Sequence, residues 1–512
     1  MGSKRDYDLI VLGGGSAGIV ASVMAGGLGL RVLVVEKEKL GGECLHTGCV
    51  PSKALLHAAN LAHMMRVSPA AVGLPGRDVT REEAAAVLDH VRESIGDVRD
   101  ADASEQLMRD HGVEIAYGAP RFQDTHTLEV DGKAITADYF LIATGSRPAA
   151  PTIPGLDGDY LTNRNLFDLK EIPEALLVVG GGPVGVEMAQ AFGRLGSRVT
   201  LVQKGDRLLP RDDHELSSTL TQYLRDEGID IRLSAAVQSI RTEDGKRVAV
   251  IRENWETVET PFTHLLYAAG RVPNIEGLGL DALGIAIGEN GIEVDTQLRT
   301  AAHNIYACGD VTGEYQFSHI AEYEAKTAVR NIFFPGSGKT KFEHAPWATF
   351  TDPELVHIGM TEDEALAKGL AYEVYHQPFA QNDRAVTDHG TQGGIKVLTL
   401  GVGGKILGVH ILGRRASELA HEWILAMEQG ASIRAIADLV HIYPTLSMVS
   451  QHAAQRWYEA TAKDPVVAKT LNVYAKTIRP NLGALVIGGA ALIAAGAAAA
   501  LLHSSKPTDD AS

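Results

Sequence analysis

The stretch Asp6–Glu38, DYDLIVLGGGSAGIVASVMAGGLGLRVLVVEKE, decides the fold. An aliphatic run, Leu9–Leu12, enters three glycines, then a segment of helical length, then a second apolar run closed by Glu36. Strand, glycine turn, helix and strand follow in that order. Gly13, Gly15 and Gly18 keep the spacing G-x-G-x-x-G. The first allows a tight turn, the second lets the backbone approach a pyrophosphate, and the third lets helix and strand pack closely. The N–H groups at the helix start then face the phosphates. Glu36 stands where a carboxylate binds ribose hydroxyls.

The pattern recurs at 175–208, ALLVVGGGPVGVEMAQAFGRLGSRVTLVQKGDRL, with Gly180, Gly182 and Gly185. Two dinucleotide-binding domains are expected, for different dinucleotides. The second copy closes its second strand with Gln203 instead of an acid, followed by Lys204 and Arg207. Without the acid the preference for a free 2′-hydroxyl is lost, and basic groups can meet a 2′-phosphate. This favours NADPH and leaves NADH open. The other reading is that both cations are solvated surface charges.

Composition limits the rest. A chain of 512 residues needs more than one core. With 45% hydrophobic and 22% charged residues it is a folded globular protein. A net charge of −17 argues against nucleic acid as a partner. Three cysteines, Cys44, Cys49 and Cys308, are too few for a disulfide scaffold, so a reducing compartment is expected. The N-terminus runs directly into a strand and leaves no room for a signal peptide.

Further motifs join the two fingerprints: GGECLHTGCVPSK from Gly41, LIATGSRP from Leu141, YAAGRVPN from Tyr267, IYACGDVTG from Ile305, and ATFTDPELVHIGMTEDEA opening a C-terminal domain. Together they resemble the class I pyridine nucleotide-disulfide oxidoreductases, the flavoprotein family of dihydrolipoamide dehydrogenase, glutathione reductase and mercuric reductase. The resemblance covers nearly all of 6–465. It implies FAD, a homodimer whose sites are completed by the other subunit, and a redox disulfide between Cys44 and Cys49. By the same resemblance Cys49 is the flavin-facing charge-transfer thiol and Cys44 the outer thiol. Lys53 pairs with Glu187 near the flavin, and Asp310 contacts the FAD ribityl chain. Thr144, Gly145 and Gly270, in the connecting motifs, are further cofactor-binding candidates. The physics of the thiol pair agrees. Pro51 suits the first turn of a helix, and a thiol at a helix start is stabilised as thiolate. Two cysteines five apart can close a small, easily reduced ring. A metal site, for which only His46 is near, and inert core cysteines are the other readings. No metal is expected.

One motif departs from the family. Disulfide-reducing members carry a His-Pro-Thr segment with a glutamate five residues after the histidine, the acid/base pair that serves the outer thiol. Here the segment is HIYPTLSMVSQ, with Tyr443 at the histidine position and Met448 at the glutamate position. Tyrosine is a poor base at neutral pH but donates a hydrogen bond. His441 lies two residues earlier and reads as structural or exposed, the other reading being that it points into the site from a different angle. Tyrosine here resembles mercuric-reductase-like members, whose soft metal needs thiolates. Mercuric reductase also carries a C-terminal cysteine pair, and no cysteine follows Cys308. The expected activity is NAD(P)H oxidation through flavin and disulfide to an acceptor that is a disulfide, a metal ion such as Hg(II), or a quinone. The alternatives are a dihydrolipoamide dehydrogenase component of a 2-oxoacid dehydrogenase complex and a non-catalytic redox sensor.

The fold class expected is α/β, with two Rossmann-like domains, an α+β dimerisation domain and a C-terminal transmembrane helix. The boundaries are 1–155 and 276–340 for FAD, 156–275 for NAD(P), 341–465 for dimerisation, 466–481 as linker, 482–502 as anchor and 503–512 as tail. The anchor rests on 21 residues without a polar side chain, long enough to span a bilayer. Basic residues before it place the body on the cytoplasmic face of the membrane. A buried Ala/Gly-rich docking helix is the other reading of that run.

Overall fold

The computed structural model describes residues 5–71, 73–101, 104–334, 336, 338–401, 403–463 and 465–479. Two compact units emerge, Met1–Leu209 with Thr221–Lys341, and Pro210–Leu220 with Phe342–Ser512.

The first unit holds both dinucleotide-binding folds. Its larger sheet runs Val113–Tyr117, Val32–Glu36, Tyr7–Leu12, Lys133–Ile142 and Ile305–Ala307, all parallel. Leu9, Ile10, Val11 and Leu12 are each 0% exposed. Alternation explains that burial: Leu9 and Val11 join one core with Ala17, Ala21 and Val34, while Ile10 and Leu12 join another with Leu33, Val35 and Phe140. A parallel strand covered on both faces reads as an unbroken apolar run. The first half of Lys133–Ile142 instead pairs antiparallel with Thr127–Val130. The second fold repeats the plan with Asp230–Arg232, Arg198–Val202, Ala175–Val179 and His264–Tyr267, all parallel. An antiparallel meander, Ala235–Glu243, Lys246–Glu253 and Glu256–Phe262, accompanies it.

The second unit is a five-stranded antiparallel sheet in the order Pro346–Thr349, Glu354–Gly359, Lys405–Gly413, Gly394–Leu400, Tyr372–Pro378. Its helices include His421–Glu428, Ile433–Asp438 and Met448–Lys463, and Trp423, Val449 and Trp457 close the core with Val409 and Ile411. The Trp423 indole donates to Ser450 Oγ at 2.9 Å.

The transmembrane part of the expected fold class needs correction. Among the described residues no helix is long and apolar enough to cross a membrane, and the 482–502 stretch lies outside the described residues. An apolar run of spanning length satisfies a length criterion only. The fold class is therefore two dinucleotide-binding folds with a dimerisation domain, and the membrane partner is withdrawn with the helix.

Candidate active site

Both glycine fingerprints show the same division of labour. A Cβ on Gly18 would lie 1.9 Å from Gly13 O, and one on Gly185 would lie 1.9 Å from Gly180 O. Close helix-to-strand packing therefore excludes any side chain at these two positions. Beside Gly182 nothing lies within 4 Å, and beside Gly15 only Gly42 Cα, at 3.9 Å. The helices Ser16–Gly27 and Pro183–Arg194 start there with no side-chain cap and no acid in the first turn. An open space beside uncapped helix amides fits a pyrophosphate in both folds.

Glu36 is buried at the end of its strand. Its Oε2 accepts from the Gly14 amide at 2.7 Å and its Oε1 from Glu38 N at 2.6 Å. A carboxylate has further lone pairs for a ribose hydroxyl, so the cradle fits the adenosine half of FAD. Gln203 does the equivalent work in the second fold, where its Oε1 accepts from Gly181 N at 2.9 Å. The amide of the middle glycine needs an acceptor at this position, and a carboxamide supplies one without charge. Lys204 is exposed and Arg207 half-buried. Thr144 and Gly145 are tied to YAAGRVPN: Thr144 Oγ1 donates to Asn274 O at 2.7 Å, and Asn274 N donates to Gly145 O at 2.9 Å. Gly270 has φ +96°, a backbone that favours glycine, and its carbonyl accepts from Ala149 N at 3.1 Å.

Cys44 lies in the short helix Gly42–His46, and Cys49 opens the long helix Cys49–Ala71. Both are free thiols, and each shifts the titration of the other. Cys49 Sγ also lies 3.5 Å from Ser318 Oγ, the first residue of the helix Ser318–Phe333. Ser16, first residue of the fingerprint helix, works against the rise at Cys44. Three helix N-termini thus meet at the sulfurs, and their partial positive charges favour a thiolate. The hydrogen bond from Cys44 lowers Cys49 to about 6; the Ser318 hydroxyl and the Lys53 charge assist, while burial and Glu187 oppose. Cys44 is pushed up, chiefly because its proton is held in that bond and then by burial. One sulfur is a thiolate at neutral pH and the other keeps its proton.

Lys53 Nζ pairs with Glu187 Oε2 at 2.9 Å, bringing the two expected partners together. Asp310 sits on the turn Gly309–Val311, where its Oδ2 accepts from Ser146 Oγ at 2.6 Å. Arg271 Nε donates to Ser146 Oγ at 2.7 Å, and the same guanidinium reaches Glu43, the neighbour of Cys44. Burial raises Asp310 above its ordinary range, against the pull of Ser146 and Arg271. Ser16, Ser318, Ser146, Arg271 and Glu43 were not singled out in the sequence. Ser146, Arg271 and Glu43 lie inside quoted motifs, but Ser318 comes from 269 positions beyond Cys49 with no local signature.

Tyr443 belongs to the second unit. It is 66% exposed and donates to Asp383 Oδ2 at 2.9 Å. That bond raises the phenol above its ordinary value. His441 is not exposed: its side chain is 6% exposed and its Nε2 lies 3.0 Å from Glu422 Oε2. Cys308 is fully buried, and burial pushes its thiol well up; it is an inert core residue. Among the described residues no group of three or more His, Cys, Asp or Glu could hold a metal ion.

Residues 7–325 match the family model described as pyridine nucleotide-disulphide oxidoreductase, and residues 345–454 match the dimerisation domain of that family. The chain is similar to the mercuric reductase of Bacillus cereus, 34% identical over 444 residues that make up 86% of this chain and 70% of that one. It is also similar to the dihydrolipoyl dehydrogenase of Thermus scotoductus, 36% identical over 456 residues, 88% of this chain and 97% of that one. Among solved structures it resembles the Cu(II) complex of the HOCl-induced flavoprotein disulfide reductase RclA from Escherichia coli. The TM-score is 0.78 at 27% identity, over 88% of this chain and 100% of that one. The dimerisation-domain match supports a homodimer. On these matches, the chain belongs to the class I pyridine nucleotide-disulfide oxidoreductases and is a flavoprotein enzyme of that family acting on sulfur groups.

Proposed function

We propose that the enzyme uses NADPH to reduce a thiophilic metal ion, Hg(II) or Cu(II), presented to the Cys44–Cys49 pair. The observation that carries this reading is the unequal dithiol, one thiolate and one thiol, in a chain whose acid/base position holds Tyr443. With its hydroxyl bound to Asp383, Tyr443 stays protonated at neutral pH and offers a hydrogen bond instead of a base. Reducing a substrate disulfide needs a proton for each sulfur released, and positioned acid/base groups contribute about 10²–10⁴-fold to such steps. A soft metal ion needs two sulfur ligands and no proton donor. The Bacillus cereus relative is named a mercuric reductase, and the RclA structure is a Cu(II) complex of a disulfide reductase.

FAD, when bound, relays the electron pair from the nicotinamide to the sulfur side. The chain's own groups do the rest. The Cys49 thiolate binds the ion first, and Cys44 gives up its proton to water as the second sulfur–metal bond forms. Ser318 and Lys53 hold the negative charge at Cys49 until the ion arrives. As the electron pair passes to the metal, Cys44 and Cys49 return to the disulfide, and one NADPH restores the two thiols; its two electrons are enough for one Hg(II) to Hg(0) or two Cu(II) to Cu(I).

The test compares acceptors on the FAD-loaded dimer under anaerobic conditions. NADPH oxidation with thiol-buffered Hg(II) or Cu(II) should exceed that with lipoamide or glutathione disulfide by about 10²-fold, the low end of an acid/base contribution. Faster turnover of either disulfide overturns the metal reading and revives a disulfide reductase.

The coenzyme reading has its own test. Gln203→Glu restores a carboxylate that binds a free 2′-hydroxyl and repels a 2′-phosphate. The NADPH-to-NADH ratio of kcat/KM should fall about tenfold, or about 1.4 kcal/mol. An unchanged ratio sinks the assignment of NADPH to this position.

A further inference from the structure

The turn that carries Asp310 is held from beneath by a group no motif marks. Glu324, midway along the helix Ser318–Phe333, is 2% exposed. Its Oε2 accepts a 2.5 Å hydrogen bond from Gly309 N. That amide begins the turn Gly309–Val311, whose preceding residue, Cys308, offers no side-chain cap. Gly309 has φ +76°, and a Cβ there would meet Ala321 Cβ at 3.2 Å and Ala17 Cβ at 3.6 Å. The turn is therefore wedged between the fingerprint helix and the helix that bears Glu324. On its other side Asp310 is held by Ser146 and, at 3.6 Å, by Arg271.

We propose that Glu324 is a positioning residue for FAD, fixing the Gly309–Asp310 turn through its hydrogen bond to the Gly309 amide. This rests on the reading of Asp310 as an FAD contact. Burial pushes the Glu324 carboxyl up to about 8, with Glu314 and Asp310 adding to the rise and the Gly309 amide opposing it. At neutral pH it therefore serves largely as a neutral acceptor and adds no second charge beside Asp310. A glutamine has the same reach, the same accepting oxygen and the same lack of charge. An alanine leaves the buried amide without an acceptor, which is the costly outcome for a backbone donor.

The experiment measures FAD dissociation from the holoenzyme by the return of free-flavin fluorescence, for Glu324→Ala, Glu324→Gln, Asp310→Ala and the double variant Glu324→Ala/Asp310→Ala. Far-UV circular dichroism and melting of each apoprotein run alongside. Glu324→Ala should weaken FAD about tenfold, a loss of one hydrogen-bond constraint. Glu324→Gln should stay within about twofold of the parent. In the Asp310→Ala background the Glu324→Ala effect should vanish, because it acts through that side chain. If Glu324→Ala adds its full effect in that background, or Glu324→Gln fails as badly as alanine, the positioning role is overturned while Asp310 stands. If Asp310→Ala leaves FAD affinity unchanged, the reading of Asp310 falls, and the role of Glu324 with it.

Discussion

Cys49→Ser should abolish NADPH-dependent metal reduction, lowering kcat/KM by ~10³-fold or more, a loss of about 4 kcal/mol in transition-state stabilisation. The size follows from what the sulfur supplies. At about 6, Cys49 is a thiolate at neutral pH, and thiolate is the form that binds soft metal and exchanges with disulfides. A serine hydroxyl stays protonated in the same place and binds soft metal poorly. The substitution is nearly isosteric at the first turn of an intact helix, so FAD content and melting temperature should stay at the parental level. Cys44→Ser tests the other half of the asymmetry. Losing Cys44 removes the strongest influence that lowers Cys49, so the remaining thiol should titrate higher. In the parent, iodoacetamide should label Cys49 of the NADPH-reduced enzyme with a midpoint near pH 6; labelling should rise with pH as thiolate forms. A midpoint at the ordinary thiol value of about 8.5 would remove the thiolate from the mechanism. Full metal turnover by Cys49→Ser would remove the disulfide from the electron path.

What could be read from the chain, and what could not, separates by distance along it. The fingerprints are legible because the glycine spacing encodes contacts within six residues, such as Gly18 against Gly13. Gln203 was legible as a missing acid. Its bond to Gly181 N was not, because the parallel with Glu36 and Gly14 appears only when both loops are folded. Cys44 and Cys49 stand out in any cysteine-poor chain. The hydroxyl that meets Cys49 and the carboxyl beneath Asp310 come from a helix more than 260 positions after the cysteines, and serine or glutamate in a helix carries no mark of its destination. His441 was read as structural or exposed. Its ring meets Glu422, which lies on the helix His421–Glu428. The apolar run at 482–502 lies outside the described residues. Its composition speaks to length and hydropathy alone.

The second large effect lies far from the sulfurs. Trp347, His357, His410, Lys396 and His376 are cross-strand partners, one on each strand of the second unit's sheet. The segment Arg211–Glu215 lies on this row. Trp347 Nε1 donates to Asp212 Oδ1 at 3.0 Å, and the Arg211 guanidinium stands 5.2 Å from the Trp347 ring. Lys396 Nζ meets Asp213 Oδ2 at 3.0 Å, Glu215 Oε2 at 3.0 Å and Glu362 Oε2 at 2.6 Å. Burial alone would lower the Lys396 ammonium, but Glu362 and Asp213 outweigh it and leave it above its ordinary value. Burial alone would raise Asp213, but His410, charged only in acid, and Lys396 outweigh it and leave it below. Burial also holds His357 and His410 below their ordinary value, so both are neutral at pH 7. Lys396 is then the cation that balances three carboxylates. Lys396→Met should cost about 3–5 kcal/mol at pH 7, the penalty of stranding a buried charge. Urea unfolding of the holoenzyme, followed by tryptophan fluorescence, measures it, since three of the four tryptophans, Trp347, Trp423 and Trp457, lie in this unit. The pH dependence separates charge from packing. In the parent, Asp213 is depressed, so its contribution is complete above the unfolded value of about 3.9 and is lost as pH falls through the folded value. Lys396 is raised, so its contribution is complete below about 10.4 and is lost only in stronger base. The parent pair is therefore at full strength near neutrality. In Lys396→Met the stranded Asp213 carboxyl rises instead, takes up a proton on folding, and the variant gains stability as pH falls. The deficit should narrow between pH 7 and about 5. A deficit that stays constant across that range would mean that Lys396 contributes through its buried methylenes and not through its charge.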